Sequence, residues 1–203
     1  MTCTAVHSKW AAWGKRTADI IGSTCGLVLL SPVFLAIYAG LKLTTSGPAM
    51  FRQERIGLGG RPFCIYKFRT MVVNTEADGL PRLAEADDER LTRFGKFLRE
   101  HHLDELPQLW NVLRGDMSFV GHRPERKYFI DKIMELRPDY ADLYAMRPGI
   151  TSMATIYNGY TNTMAKMIRR LDMDLDYLRH QSFWLDVKIV FTTFTSILFG
   201  KKI

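Results

Sequence analysis

The chain has 203 residues, 47% of them hydrophobic and 24% charged, with 28 Lys+Arg against 21 Asp+Glu for a net charge of +7. That length suits one domain of ordinary size with one appended element, and the balance excludes both a disordered tail and a polytopic transporter. The excess charge is segregated: residues 1–71 hold nine basic and two acidic groups, while residues 72–203 hold 19 of each. A uniformly basic nucleic-acid binder would not divide its charge this way, so no nucleic acid is expected as a partner. A basic third that also contains the most apolar stretch points instead to an anionic membrane surface. Cys3, Cys25 and Cys64 are too widely spaced for a metal site or a disulfide framework, and read as reduced thiols on the cytoplasmic side.

Residues 20–41 form a run of 22 without a charge, long enough to span a hydrocarbon core of about 30 Å as a helix. The run is too long for a signal-peptide core and no A-x-A cleavage pattern follows it, so it is expected to be retained. Ser31-Pro32 lies at its middle, where proline removes a backbone donor and the neighbouring serine can satisfy the freed carbonyl. Basic residues flank both ends, Lys9, Lys15 and Arg16 before and Lys42, Arg52 and Arg55 after. The positive-inside rule is met at both ends only if both stay cytoplasmic. The pattern predicts a re-entrant helix–break–helix; a kinked spanning helix is the alternative.

Residues 49–71 contain two β-prone runs around a glycine-rich stretch at 57–61, which predicts a hairpin and matches no phosphate-binding loop. Residues 74–90, rich in Asp, Glu and Ala, read as a solvated loop. Leu106, Leu109, Trp110 and Leu113 then recur at the spacing of one helix face. Pro107 suits the first turn of that helix and Gly115 its stop. Residues 125–145 and 162–180 read as helices of mixed charge. The run 183–199 places Trp184, Val187, Phe191, Phe194, Ile197 and Leu198 along one stripe, either a core helix or one lying in a membrane interface.

Asp104 and Glu105 fall at or just before a helix N-terminus, where the macrodipole favours negative charge. The plainer reading is a helix cap and its neighbour. The chemical reading is a division of labour, one carboxylate attacking and the other holding a metal. Adjacent carboxylates on a helix point about 100° apart and cannot easily flank one bond. Carboxylate oxygens suit Mg²⁺, and a carboxylate attacking phosphorus gives an acyl phosphate. Lys67, Arg69, Arg99, Arg123 and Arg147 are the candidate cations for the charge developing on a phosphoryl group. His101-His102 lacks a third ligand at helical spacing and is set aside as a metal site.

Five strings occur in order: Lys67-Phe68-Arg69-Thr70-Met71, Leu103-Asp104-Glu105-Leu106-Pro107-Gln108-Leu109, Asn111-Val112-Leu113-Arg114-Gly115-Asp116-Met117-Ser118, Arg123-Pro124, and Arg147-Pro148-Gly149-Ile150-Thr151. From about residue 15 onwards the chain resembles the bacterial sugar transferase family, the monotopic polyprenyl-phosphate phosphoglycosyl transferases. The resemblance implies transfer of a sugar-1-phosphate from a nucleoside diphosphate sugar, usually a UDP-sugar, to undecaprenyl phosphate. It implies Asp104 as a covalent nucleophile, Glu105 as a ligand of Mg²⁺, Lys67, Arg99, Arg123 and Arg147 as phosphate-binding residues, and Ser31 and Pro32 as the break of a re-entrant helix.

The expected architecture is α+β and mostly helical. Residues 1–43 would form the N-terminal segment and membrane helix, and residues 44–203 a compact cytoplasmic catalytic domain with a small hairpin and amphipathic interfacial helices. The implied setting is the cytoplasmic face of the bacterial inner membrane, among membrane lipids, with downstream glycosyltransferases as further partners and a homodimer allowed. Two stretches depart from the family pattern: His122 stands where a proline is usual before Arg123, and residues 152–160 lack an arginine common there. Two other readings are a catalytically silent membrane-docked module with the same fold, and a lipid-phosphate transferase or hydrolase.

Overall fold

A computed structural model describes residues 9–73, 88–159 and 161–199. Most of the stretch read as a solvated loop, residues 74–87, lies outside the described residues, as do residues 1–8. Helix α1 (Lys9–Leu29) is followed after one residue by α2 (Ser31–Thr44), and the two are bent by 59°. Pro32 has no N–H to donate to the Val28 carbonyl four residues back, and the Ser31 hydroxyl donates to that carbonyl instead, at 2.8 Å. The carbonyl that proline would leave bare is therefore satisfied at the break. Among the described residues no single helix is long and apolar enough to cross a membrane; only the bent pair together has the length and composition.

Helix α1 docks along one stripe at helical spacing. Arg16 donates to the Val112 and Leu113 carbonyls, at 2.6 and 2.8 Å. Buried Asp19 accepts from the Ser118 hydroxyl and the Phe119 N–H, at 3.1 and 3.0 Å. Lys15 pairs with Asp186, which also accepts from the Tyr177 hydroxyl. Further along, Gly22 and Gly26 let Phe119 and Leu109 lie directly against the helix.

The hairpin pairs β1 (Met50–Ile56) with β2 (Pro62–Phe68) in antiparallel register, Met50 opposite Phe68 and Ile56 opposite Pro62. Phe68 closes a small core with Ile37 and Leu41 of α2 and Leu98 of α3 (Arg93–Glu100). A 3₁₀ turn (Leu103–Glu105) leads into α4 (Gln108–Arg114), which ends at Gly115 with φ +93°. The structure adds a pairing that sequence periodicity did not show: β3 (Ser118–Val120) runs parallel to β4 (Gly149–Thr151).

The stretch read as one helix at 125–145 is divided. Helix α5 (Lys127–Leu136) stops before Pro138, and a 3₁₀ segment (Pro138–Ala145) continues it because proline cannot prolong an α-helix behind it. After the short α6 (Met153–Tyr157), α7 (Met164–His180) and α8 (Phe183–Leu198) complete the main core with α5, through Ile130, Ile133, Leu171, Leu175 and Ile189. Helix α8 packs on the core through Ile189, which lies outside the stripe read from the sequence, while Trp184 and Phe191 of that stripe are 78% and 66% exposed. Leu29 and Leu35 of the bent pair are likewise exposed, at 76% and 70%.

Candidate active site

The dyad is placed by its neighbours on three sides. Helix α3 begins at Thr92, whose hydroxyl caps the Gly95 N–H at 2.9 Å. The chain leaves α3 through His102 in a left-handed conformation, φ +54°, a geometry costing a non-glycine residue on the order of 1 kcal/mol. That reversal starts the 3₁₀ turn and carries Asp104 inward, where it is buried.

Helix α4, following directly, is joined to strand β2 by one side chain. Fully buried Asn111 donates to the Cys64 carbonyl at 2.7 Å and accepts from the Tyr66 N–H at 3.1 Å. An asparagine amide thus acts as one more rung on the open edge of β2, and the next strand residue, Lys67, meets Glu105 as an ion pair.

Glu105, Lys67, Gln108, Arg123, Arg55 and Gly149 are among the residues lining one narrow cleft. Burial alone would raise the Glu105 carboxyl, but Lys67, Arg123 and the hydrogen bond from Lys67 outweigh it and hold the group below its ordinary range. Asp104 goes the other way: burial and the neighbouring Glu105 raise it, against the pull of Lys67 and Arg99. Two adjacent carboxylates are so driven apart, one a firm anion and the other the weaker acid. Burial outweighs the ionising effect expected of the helix terminus.

The five residues that sequence motifs singled out beside Asp104 do not all gather here. Lys67 and Arg123 share the cleft with Glu105, and Arg99, at the end of α3, acts electrostatically on Asp104. Arg147 instead donates from Nε to the Gly115 carbonyl at 2.9 Å, capping the end of α4 away from the dyad. Ser31 and Pro32 sit at the break between α1 and α2.

Arg55 and Gln108 line the cleft without having been singled out, because a β-prone run and a helix face were sufficient reasons for them in the sequence. His122 is fully buried with neither ring nitrogen hydrogen-bonded, and burial, then the nearby Arg170, press its pKa down to about 3, against Glu125. It stays neutral, an imidazole held as a core side chain. Among the described residues no three His, Cys, Asp or Glu side chains are grouped as a metal cage. The two hard carboxylates of the dyad fit Mg²⁺ in the manner that ion favours, one or two protein oxygens completed by substrate phosphates.

The family model described as Bacterial sugar transferase matches residues 10–200. The chain belongs to that family. It is 42% identical over 189 residues to a UDP-N-acetylgalactosamine-undecaprenyl-phosphate N-acetylgalactosaminephosphotransferase of Aeromonas hydrophila, covering 93% of this chain and 44% of the relative. It is 44% identical over 188 residues to a UDP-glucose:undecaprenyl-phosphate glucose-1-phosphate transferase of Caulobacter vibrioides, covering 91% and 69%. A protein of the same description from Escherichia coli K12 is 44% identical over 181 residues, covering 88% and 39%. The chain thus spans about two fifths of the length of several bacterial sugar transferases that it matches.

Proposed function

We propose that this chain transfers a sugar-1-phosphate from a nucleoside diphosphate sugar to undecaprenyl phosphate, releasing the nucleoside monophosphate. The observation that carries the reading is buried Asp104 next to a Glu105 that is clamped by Lys67 and lines a cleft with Arg123. The names of the relatives favour a UDP-sugar as donor and UMP as leaving product.

The ionised Asp104 carboxylate attacks the phosphorus that bears the sugar. A P–O bond forms to Asp104, and the P–O bond to UMP breaks with its electron pair leaving on the UMP phosphate. An oxygen of undecaprenyl phosphate then attacks the same phosphorus, and the carboxylate of Asp104 departs unchanged. Lys67 holds Glu105 in place and, with Arg99 and Arg123, opposes the charge on the transferring group. Arg147 reaches a phosphate only by exchanging its bond to Gly115. Glu105 would hold Mg²⁺, which would supply neutralisation of the diphosphate.

The bent pair α1–α2 acts as a re-entrant element that dips into the membrane and returns, so that residues 1–43 anchor the chain and residues 44–203 work at the cytoplasmic face of the bacterial inner membrane. The exposed apolar side chains of the pair and of α8 support this setting. The product is a lipid-linked sugar, the starting point for downstream glycosyltransferases of a glycoconjugate pathway.

The test is nucleoside monophosphate release by the purified chain with undecaprenyl phosphate, Mg²⁺ and a panel of UDP-sugars. Release that requires the lipid, the metal and Asp104 is expected, with Asp104→Asn lowering the rate at least about 1,000-fold. Normal turnover by folded Asp104→Asn removes the nucleophile's role. Release of inorganic phosphate instead marks a hydrolase.

A further inference from the structure

Arg55 has no part in the chemistry above, yet it lines the cleft with Lys67, Glu105 and Arg123. Its side chain is only 18% exposed and is held from several sides. Nη1 donates to the Pro124 carbonyl at 3.1 Å, Nη2 donates to Gln53 Oε1 at 2.5 Å, and Glu125 Oε2 stands 3.8 Å from Nη1. The Nε–H is different: it is buried and has no acceptor among the described residues. A guanidinium held at both ends by its Nη atoms with a buried Nε that has no acceptor is uncommon, because an unsatisfied buried donor carries its full desolvation cost.

The charges around it sharpen the point. Glu125 is the carboxylate acting most strongly on Arg55, and Arg123, Arg126 and Arg170 act against it. Glu125 is moreover shared, with Arg170 at 3.1 Å from its other oxygen. This wall of the cleft is short of negative charge and contains a donor without an acceptor. An anion entering the cleft supplies both.

The hairpin register says which part of a substrate this would be. Lys67, which meets the dyad, is paired with Phe51, whereas Arg55 is paired with Phe63 at the turn end. The two residues are four rows apart, about 13 Å along the strands, so their side chains reach the cleft from different ends of the hairpin. We propose that Arg55 is a phosphate-binding residue whose Nε–H donates to a non-bridging oxygen of the diphosphate, on the nucleoside side that leaves. This rests on the reaction proposed above, with the dyad attacking the phosphorus that bears the sugar.

The experiment compares the full chain in detergent with Arg55→Lys and Arg55→Gln, using inorganic pyrophosphate and UMP as binding probes and melting curves as the check on folding. Arg55→Gln is expected to weaken both probes at least ten-fold and Arg55→Lys about three-fold, with KM for the UDP-sugar rising in step and KM for undecaprenyl phosphate unchanged. Pyrophosphate affinity within two-fold of wild type in a variant that melts normally overturns the proposal, as does a rise in acceptor KM alone, which assigns Arg55 to the lipid phosphate.

If neither variant folds, arginine-labelled wild type decides by NMR: pyrophosphate must shift the Nε–H signal identified by its proximity to Pro124, and an unmoved signal overturns the proposal. Wild type that releases no UMP from any donor, yet binds pyrophosphate through Arg55, removes the proposed reaction and leaves the anion site standing. Normal transfer with Arg55-independent binding does the reverse.

Discussion

Lys67 and Glu105 are each 18% exposed and ion-paired, so neither charge is well hydrated and each depends on the other. Lys67→Met leaves the Glu105 carboxylate poorly solvated, and a loss of about 2 kcal/mol in denaturant unfolding is expected, below the range for a fully buried pair because some water reaches both groups. His122 offers a second test, on acid stability. The folded protein keeps it neutral down to about pH 3, while the unfolded chain takes up a proton below about pH 6.5. Stability from this group is therefore complete above pH 6.5 and declines as pH falls toward 3. The groups acting on the ring are Arg170 and Glu125, and buried Asp174, raised to about 7, works with the opposite sign. Comparison of wild type with His122→Leu cancels these other groups: the melting temperature of the variant is expected to fall less between pH 7.5 and 5, and parallel curves would contradict it.

Strand β2 carries Lys67 of the central ion pair, the 3₁₀ turn leading into α4 carries Glu105, and Asn111 joins α4 to β2. Asn111→Leu leaves the Cys64 carbonyl and the Tyr66 N–H without partners, at a cost of about 2–3 kcal/mol. Turnover is expected to drop further than stability, because Lys67 no longer meets Glu105 at a set position; equal KM and kcat with lowered stability would make Asn111 structural only. Helix α3 is fixed at its first turn, where a Cβ on Gly95 would stand 1.9 Å from the Thr70 carbonyl oxygen. Gly95→Ala therefore displaces the helix that carries Arg99, and a loss of about 1–3 kcal/mol is expected in thermal or denaturant unfolding. The hairpin, the α4 boundaries and the two C-terminal helices were legible in the sequence because their signals are local: alternation, a Pro and a Gly, a stripe. The β3–β4 pair was not, since each strand has three residues and their partners lie about thirty positions apart. Arg55 was hidden for the same reason, as only the fold brings it to a cleft with Glu105, whereas Gln108, close to Glu105 in sequence, was hidden by having a helix face to account for it.

At the scale of the whole molecule, the basic flanks, the capped Val28 carbonyl at the bend and the exposed aromatic side chains on α8 are what the membrane setting proposed above rests on. With both ends of the bent pair on the cytoplasmic side, Cys3 is expected to resist an impermeant thiol reagent in intact cells once Cys25 and Cys64 are replaced by serine, and to react after lysis. Labelling of intact cells would indicate a spanning helix instead. Arg16 and Asp19 give this arrangement a mechanical meaning. They grip the end of α4 and the start of β3 from the same helix that continues into the apolar run, and the seven residues of α4, about 10 Å long, separate that grip from the dyad. On the reaction proposed above, the attacking carboxylate keeps one set height over the helix that anchors it, whatever the rest of the chain does.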